Sequence, residues 1–432
     1  MSLLRKAFVV NSAEFFCLIF GLLQSIALSR GLGPEGVGQY GVIMACLMLA
    51  TQLFGLGYPL AYLYHSKREP QRSPVFLMNS LFVTCVSGMI GGALIMITIK
   101  GFPSYFGTVS LWALVLCGIY LVVQLIGVLA RNCLLVDIEA KRLGLFRIIS
   151  VVGTTSTCLI LWKLNLFTVN TALMACLIGA FLRAGLGWLW SHQRLDFSIK
   201  PQTKVIRNLG SMGLRLSAAD MVVILLGQMN LMIIKLCIED FASVGYYRVG
   251  HRVAMLLITA GQAVLPLLFS HWSGLEGRKL SDHIEMTLRL ASAGALVLVG
   301  FLVILGKPLV LLFYGQEFQQ AIIPMMILLP GTGLYLLGRI LIHGLNSRGL
   351  PHLSTMILLA NITICAILSL SLTPRWGIEA AALASTLGHT VMFGLLLWSI
   401  HKHCGVRPHR CFGLTWRQLI NTLRLLKNPN HV

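Results

Sequence analysis

Arg248, His251, Arg252, Thr259, Gln262 and Pro266 lie on one otherwise apolar stretch of sequence. At 100° per residue they fall within about 100° of arc, one polar stripe on one helix face. Guanidinium groups hold anions through paired, parallel N–H donors, which an ammonium point charge cannot do. A stripe with two of them suits a multiply charged anion, whose remaining oxygens His251, Thr259 and Gln262 would meet. The competing reading is structural: Arg248 reaches an interface and Arg252 pairs with a buried acid. Two acids stand out in the same way. Glu14 and Asp220 interrupt apolar runs, and each is followed seven residues on by a glycine on the same helical face, Gly21 and Gly227. As coupling or gating groups they would exchange protons at a depth where an ionised carboxylate is costly. Pairing with a basic residue to lock two helices has equal standing.

The elements that must carry these residues follow from composition. The 432-residue chain is 56% hydrophobic and 11% charged, with mean hydropathy +0.82, whereas soluble domains carry roughly 25% charged residues. An ordinary soluble fold is excluded. A bilayer span takes roughly 20 apolar residues, so a dozen would use about 240 positions and leave only short loops. Apolar runs punctuated by Gly, Pro and charge predict twelve helices, at about 7–29, 37–64, 75–99, 109–131, 143–162, 168–190, 211–236, 241–270, 286–305, 320–345, 353–372 and 378–400. The expected class is an all-α polytopic membrane protein of about 12 transmembrane helices in two six-helix lobes with a central cavity.

The net charge of +20 would suggest nucleic acid in a soluble protein, but its distribution decides otherwise. Alternate connections and the C-terminal tail carry 24 of the 34 Lys and Arg residues, from Arg5 and Lys6 to Arg424 and Lys427; the opposite side has only Arg30, Lys100, Lys163, Lys235, Lys307 and Arg375. Basic residues accumulate on the cytoplasmic side, so both termini are expected there and no nucleic-acid partner is. Arg183, Arg248, Arg252 and Arg339 fall inside spans, Arg183 and Arg339 close enough to helix ends to snorkel. Val37-Gly38-Gln39-Tyr40 recurs as Val244-Gly245-Tyr246-Tyr247, and Pro59 as Pro266, at a single offset of 207. This parallel repeat predicts lobes at 1–191 and 211–401, a basic cytoplasmic linker at 192–210, and a basic amphipathic tail at 402–432. Within the tail, Trp416, Leu419, Ile420, Leu423 and Leu426 form an apolar face suited to the inner leaflet.

Other signals are weaker. Eleven scattered cysteines read as reduced filler, and the first apolar run as an uncleaved helix. Gly31-x-Gly33-x-x-Gly36 lacks the strand a dinucleotide fingerprint needs, Gly300 to Lys307 has Pro308 where a nucleotide loop needs Ser or Thr, and His401, His403 and Cys404 lack a second metal-binding cluster. No cofactor or metal is expected. Short outer connections and the lack of a catalytic constellation argue against an enzyme.

Three stretches carry a family resemblance: Arg30-Gly31-Leu32-Gly33-Pro34-Glu35-Gly36-Val37-Gly38-Gln39-Tyr40, Leu312-Phe313-Tyr314-Gly315-Gln316-Glu317-Phe318-Gln319-Gln320-Ala321 and Pro374-Arg375-Trp376-Gly377-Ile378-Glu379-Ala380-Ala381-Ala382-Leu383-Ala384. In this order and spacing the chain resembles the polysaccharide-transporter branch of the multidrug/oligosaccharidyl-lipid/polysaccharide exporter superfamily, the O-antigen and capsule repeat-unit flippases. The resemblance implies a bacterial inner-membrane transporter that moves an undecaprenyl-pyrophosphate-linked oligosaccharide to the outer leaflet by alternating access. Its implied partners are that lipid-linked oligosaccharide, inner-membrane lipids and glycan polymerase machinery. Arg248 and Arg252 would then cradle the pyrophosphate. A cation-coupled multidrug exporter of the same superfamily is the alternative, and predicts a cavity dominated by acids and aromatics instead of arginines. A non-transporting membrane component of envelope glycan assembly is a third reading.

Overall fold

The computed structural model describes residues 3–137, 140–262, 272 and 277–412. Among these, every regular element is helical: α1 (Leu3–Gly55), α2 (Tyr58–Arg68), α3 (Ser73–Gly101), the short α4 (Pro103–Phe106), α5 (Leu111–Val136), α6 (Ala140–Lys163), α7 (Val169–Ser191), α8 (Thr203–Ile238), α9 (Phe241–Ala254), α10 (Leu256–Gln262), α11 (Gly277–Phe313), α12 (Ile322–Ser347) and α13 (Pro351–Cys404), with short 3-10 turns between some of them.

Nine helices among the described residues are long and apolar enough to cross a membrane. Two are double-length. α1 has 53 residues and α13 has 54; at 1.5 Å per residue each would run about 80 Å, more than twice the roughly 30 Å of hydrocarbon. Each breaks where the sequence asks for it. Gly33 takes φ 66° beside Pro34, and Gly377 takes φ 68° three residues after Pro374. Only glycine adopts that conformation at little cost, and proline withholds the donor that would continue the ladder. α1 therefore holds the first predicted span and most of the second, which runs on past Gly55 into α2, and α13 holds the last two. The eighth, predicted at 241–270, is described to Gln262 as α9 and α10. The all-α, polytopic membrane class stands.

Boundaries differ where hydropathy alone cannot see. α8 starts at Thr203, so the second half of the stretch read as a linker is helical, and α11 starts at Gly277, nine residues before the predicted span. Both extensions carry charged residues that keep them from registering as membrane-spanning, while their apolar positions one turn apart, Val205 and Leu209 in one and Leu280 and Ile284 in the other, are buried. Pro266 and the amphipathic face of the tail lie outside the described residues.

The chain divides into two compact units. The first comprises Met1–Val249, Val310–Ala321 and Leu368–Ala381; the second comprises Gly250–Leu309, Ile322–Ile367 and Ala382–Val432. In the first, Tyr58, Tyr62, Phe76, Leu77, Leu129, Val205 and Leu209 form a core where α2, α3, α5 and α8 meet. A second cluster, with Leu116, Val123, Leu177 and Ala184, joins α5 to α7, and Ala27, Cys158 and Ala175 join α1, α6 and α7. Helix starts are capped locally: the Ser110 hydroxyl accepts from Ala113 N–H at 3.2 Å, and Thr168 with Thr171 makes a reciprocal capping box on α7. In the second unit the Thr386 hydroxyl of α13 donates to the Ile327 carbonyl of α12 at 2.6 Å. The eleven cysteines are all free thiols.

Candidate functional site

The two copies of the sequence repeat meet within the first unit. A Cβ placed on Gly38 would lie 1.8 Å from the Phe241 carbonyl oxygen, and one on Gly245 would lie 2.0 Å from the Pro34 carbonyl oxygen. Both obstacles are backbone, so only glycine fits at either position. The residues next to them make different contacts within the same unit. The Gln39 amide donates to the Phe106 carbonyl at 3.0 Å, and the Tyr246 ring meets that of Phe318 edge-on at 6.2 Å. Two of the stretches that carry the family resemblance also converge here. Arg30 donates its Nε–H to the Phe313 carbonyl at 2.9 Å and an Nη to that of Leu312, filling acceptors that the end of α11 leaves open.

The predicted stripe begins on α9. Asp240 starts this helix by accepting the N–H groups of Ala242 at 3.1 Å and Ser243 at 2.8 Å. Partial burial alone would raise its carboxyl pKa, but the hydrogen bonds from Ser243 and Ala242 and the charge of Lys235 hold it below the usual carboxylate value. A buried polar chain then fixes the helix: the Ser369 hydroxyl donates to Asn230 Oδ1 at 2.9 Å, and Asn230 Nδ2 donates to the Tyr247 hydroxyl at 3.1 Å. Next to Tyr247, the Arg248 guanidinium lies over the Tyr40 ring, 4.9 Å from its centroid. A Cβ on Gly41 would come within 2.5 Å of Arg248 Nη1, so that glycine makes the slot. Tyr40 in turn hydrogen-bonds Cys176 at 2.9 Å.

Further along, His251 is partly exposed and Arg252 exposed. The Thr259 hydroxyl donates to the Met255 carbonyl at 2.8 Å. Although α9 and α10 are interrupted at Met255, the bonds from Met255 N–H to His251 and from Thr259 N–H to Met255, at 2.9 and 3.1 Å, keep the α register. Gln262 is the last residue of α10. Arg248 belongs to the first unit, and His251, Arg252, Thr259 and Gln262 to the second.

Sequence reasoning missed a set of arginines inside the first unit. The charge distribution assigns Arg131 and Arg147 to the cytoplasmic connections, although the spans at 109–131 and 143–162 take them in, and Arg183 to a snorkelling helix end. They lie five residues from the end of α5, seven from the start of α6 and eight from the end of α7, about 8–12 Å inside those helices. Arg183 sits beside Gly127 of α5, whose added Cβ would be 3.5 Å from its Nε, and Arg131, Arg147 and Tyr120 are within its electrostatic reach. The two acids singled out in the sequence face this set. Glu14 forms an ion pair with Arg147, both side chains 41% exposed, and Asp220, exposed on α8, has Arg131 within electrostatic reach. The Nε–H groups of Arg131 and Arg183 and the side-chain oxygen of Gln124 are buried without a hydrogen-bond partner among the described residues. Three cations against two carboxylates, with donors to spare, make a polar cluster whose charge suits an anion. One signal was available: Tyr120, Gln124, Gly127 and Arg131 share a face of α5 at i, i+4, i+7 and i+11.

Residues 3–272 match the model of a family described as polysaccharide biosynthesis protein. No curated protein matches the chain significantly. Among solved structures, the lipid II flippase MurJ in an inward closed conformation is similar, with TM-score 0.74 and 16% identity over 97% of this chain and 92% of that one. An inward-facing multidrug resistance MATE family transporter of the MOP superfamily has TM-score 0.65 and 16% identity, over 92% of this chain and 98% of the other. A MOP superfamily transporter from Pyrococcus furiosus has TM-score 0.65 and 14% identity, over 92% and 94%. At such identities these likenesses establish the fold, that of MOP-superfamily membrane transporters.

Proposed function

The chain belongs to the polysaccharide biosynthesis protein family, and from that premise we propose that it is a flippase. It carries an undecaprenyl-pyrophosphate-linked oligosaccharide repeat unit from the cytoplasmic to the outer leaflet by alternating access, for surface polysaccharide assembly, with no chemical step of its own. One observation supports this choice within the fold: the arginines inside the first unit outnumber the acids that face them. A charge at bilayer depth costs about 2.5 to 3.5 kcal/mol, so an excess of cations there calls for an anion. A pyrophosphate supplies at least two negative charges and oxygens that match guanidinium forks. Arg131, Arg147 and Arg183 receive it, Arg248 and Arg252 form a further cradle along its route, and Glu14 and Asp220 occupy the arginines between cycles. Drug export fits the same fold but calls for the opposite charge.

A cell lacking the protein should accumulate the lipid-linked repeat unit on the cytoplasmic leaflet and lose the surface glycan, with drug sensitivity unchanged. Normal glycan together with heightened sensitivity to cationic drugs would select the exporter. Orientation has its own check. In a cysteine-free background, single cysteines at Lys100 and Lys307 should react with an impermeant thiol reagent from outside, and ones at Arg142 and Lys279 should not. The reverse labelling would overturn the placement of both termini in the cytoplasm.

A further inference from the structure

The second unit holds a basic cavity of about 380 Å³ that the transport reading does not use. It lies where the start of α11, the end of α12 and the segment after α13 come together, and Arg278, Arg348, Arg407 and Arg410 line it. Two acids, Asp282 and Glu285, share the lining. Glu285 is already committed: it is 6% exposed and accepts the Arg407 backbone N–H at 2.7 Å. Four guanidinium groups against two carboxylates leave an excess of two positive charges.

The walls are tied at several points. Gly405, at φ 71°, ends α13 and turns the chain. The Ser281 hydroxyl donates to the Cys404 carbonyl, and His401 Nδ1 hydrogen-bonds the Val406 carbonyl at 2.7 Å. Arg289 clamps the Arg410 carbonyl through Nε and Nη2 at 2.9 and 2.6 Å. A segment held this way loses little freedom when a ligand arrives. We propose that this cavity binds a phosphate group at the more basic membrane face, carried either by an anionic phospholipid headgroup or by a soluble phosphate. Guanidinium groups match phosphate oxygens bidentately. The lining residues lie just outside the spans predicted at 286–305, 320–345 and 378–400, and the sequence beyond Arg410 is basic and amphipathic, which favours the lipid as the source.

The test uses the full-length protein in neutral detergent, with phosphatidylglycerol, phosphatidylcholine and glycerol 3-phosphate as probes and native mass spectrometry as the readout. Wild type should retain phosphatidylglycerol about tenfold better than phosphatidylcholine. Arg348→Ala/Arg407→Ala/Arg410→Ala should lose most of that preference, and the corresponding lysine triple should keep the larger part. Weak binding of glycerol 3-phosphate beside strong binding of phosphatidylglycerol identifies the leaflet as the source; equal binding identifies a soluble phosphate; both uphold the site. A second arm needs no variant. The favoured probe should slow maleimide modification of Cys404, which lines the cavity, as read by peptide mass spectrometry. Should the alanine triple fail to purify folded, this arm decides alone. Unchanged retention in a folded alanine triple, or no protection of Cys404 by any probe, overturns the proposal.

Discussion

Alanine or valine at Gly38 or Gly245 should reduce surface glycan about 100-fold while the protein still reaches the membrane at normal levels. The first added carbon would stand 1.8 Å from the Phe241 carbonyl oxygen in one case and 2.0 Å from that of Pro34 in the other. Overpacking usually costs about 1–3 kcal/mol because side chains yield. Carbonyl groups inside helices cannot, so the upper end applies, and at about 1.4 kcal/mol per tenfold that is roughly 100-fold. Insertion depends on the apolar content of the spans, which one methyl group does not alter. Quantifying cell-surface glycan against membrane protein level checks this. Full glycan from Gly38→Ala at normal abundance would remove the close approach of the two repeats from the transport cycle.

The second large effect concerns charge. Arg131→Gln/Arg183→Gln should lower flipping about 100-fold, since hydrogen bonds to charged groups contribute about 1.5–3 kcal/mol each. The lysine versions should recover part of it, because the charge remains and the fork is lost. Glu14→Gln and Asp220→Asn, which release Arg147 and Arg131 from their facing acids, should preserve expression and abolish transport if the carboxylates must exchange with the substrate. Full complementation by both would leave these acids as helix locks alone. Arg248→Ala/Arg252→Ala probes the further cradle in the same assay, and wild-type glycan from that variant would remove it from the substrate route.

How much of this was legible in the sequence depends on the distance over which each feature is encoded. The turns at Gly33 and Gly377 were readable because Gly and Pro act on their own backbone, so even 53- and 54-residue helices could be divided in advance into two spans each. The repeat at offset 207 was readable as a pattern. Its physical meaning, two glycines that let Phe241 and Pro34 approach, was not, because only packing reveals what a missing Cβ avoids. The arginine cluster was hidden for a different reason. Arg131, Arg147 and Arg183 come from three helices, and their convergence depends on how each helix is rotated against its neighbours. The count of basic residues by side gave the first two to the connections, at or near the edges of the spans at 109–131 and 143–162, because a charge reads as the end of an apolar window even when the helix continues, as α5 does to Val136. The same bias shortened α8 and α11. Asp240 could have been read as a helix cap, since an acid before an apolar run is a local signal.

The central claim, that the protein moves a pyrophosphate-linked saccharide across the bilayer, is tested most directly with purified protein in liposomes. An undecaprenyl-pyrophosphate-linked oligosaccharide labelled on its sugar would be loaded into one leaflet, and its exposure to an enzyme confined to the other side followed with time. Wild type should speed this exposure well above empty liposomes, and Arg131→Gln/Arg183→Gln, reconstituted at the same density, should not. Exposure no faster than in empty liposomes, together with ion-driven uptake of a cationic dye by the same preparation, would contradict it.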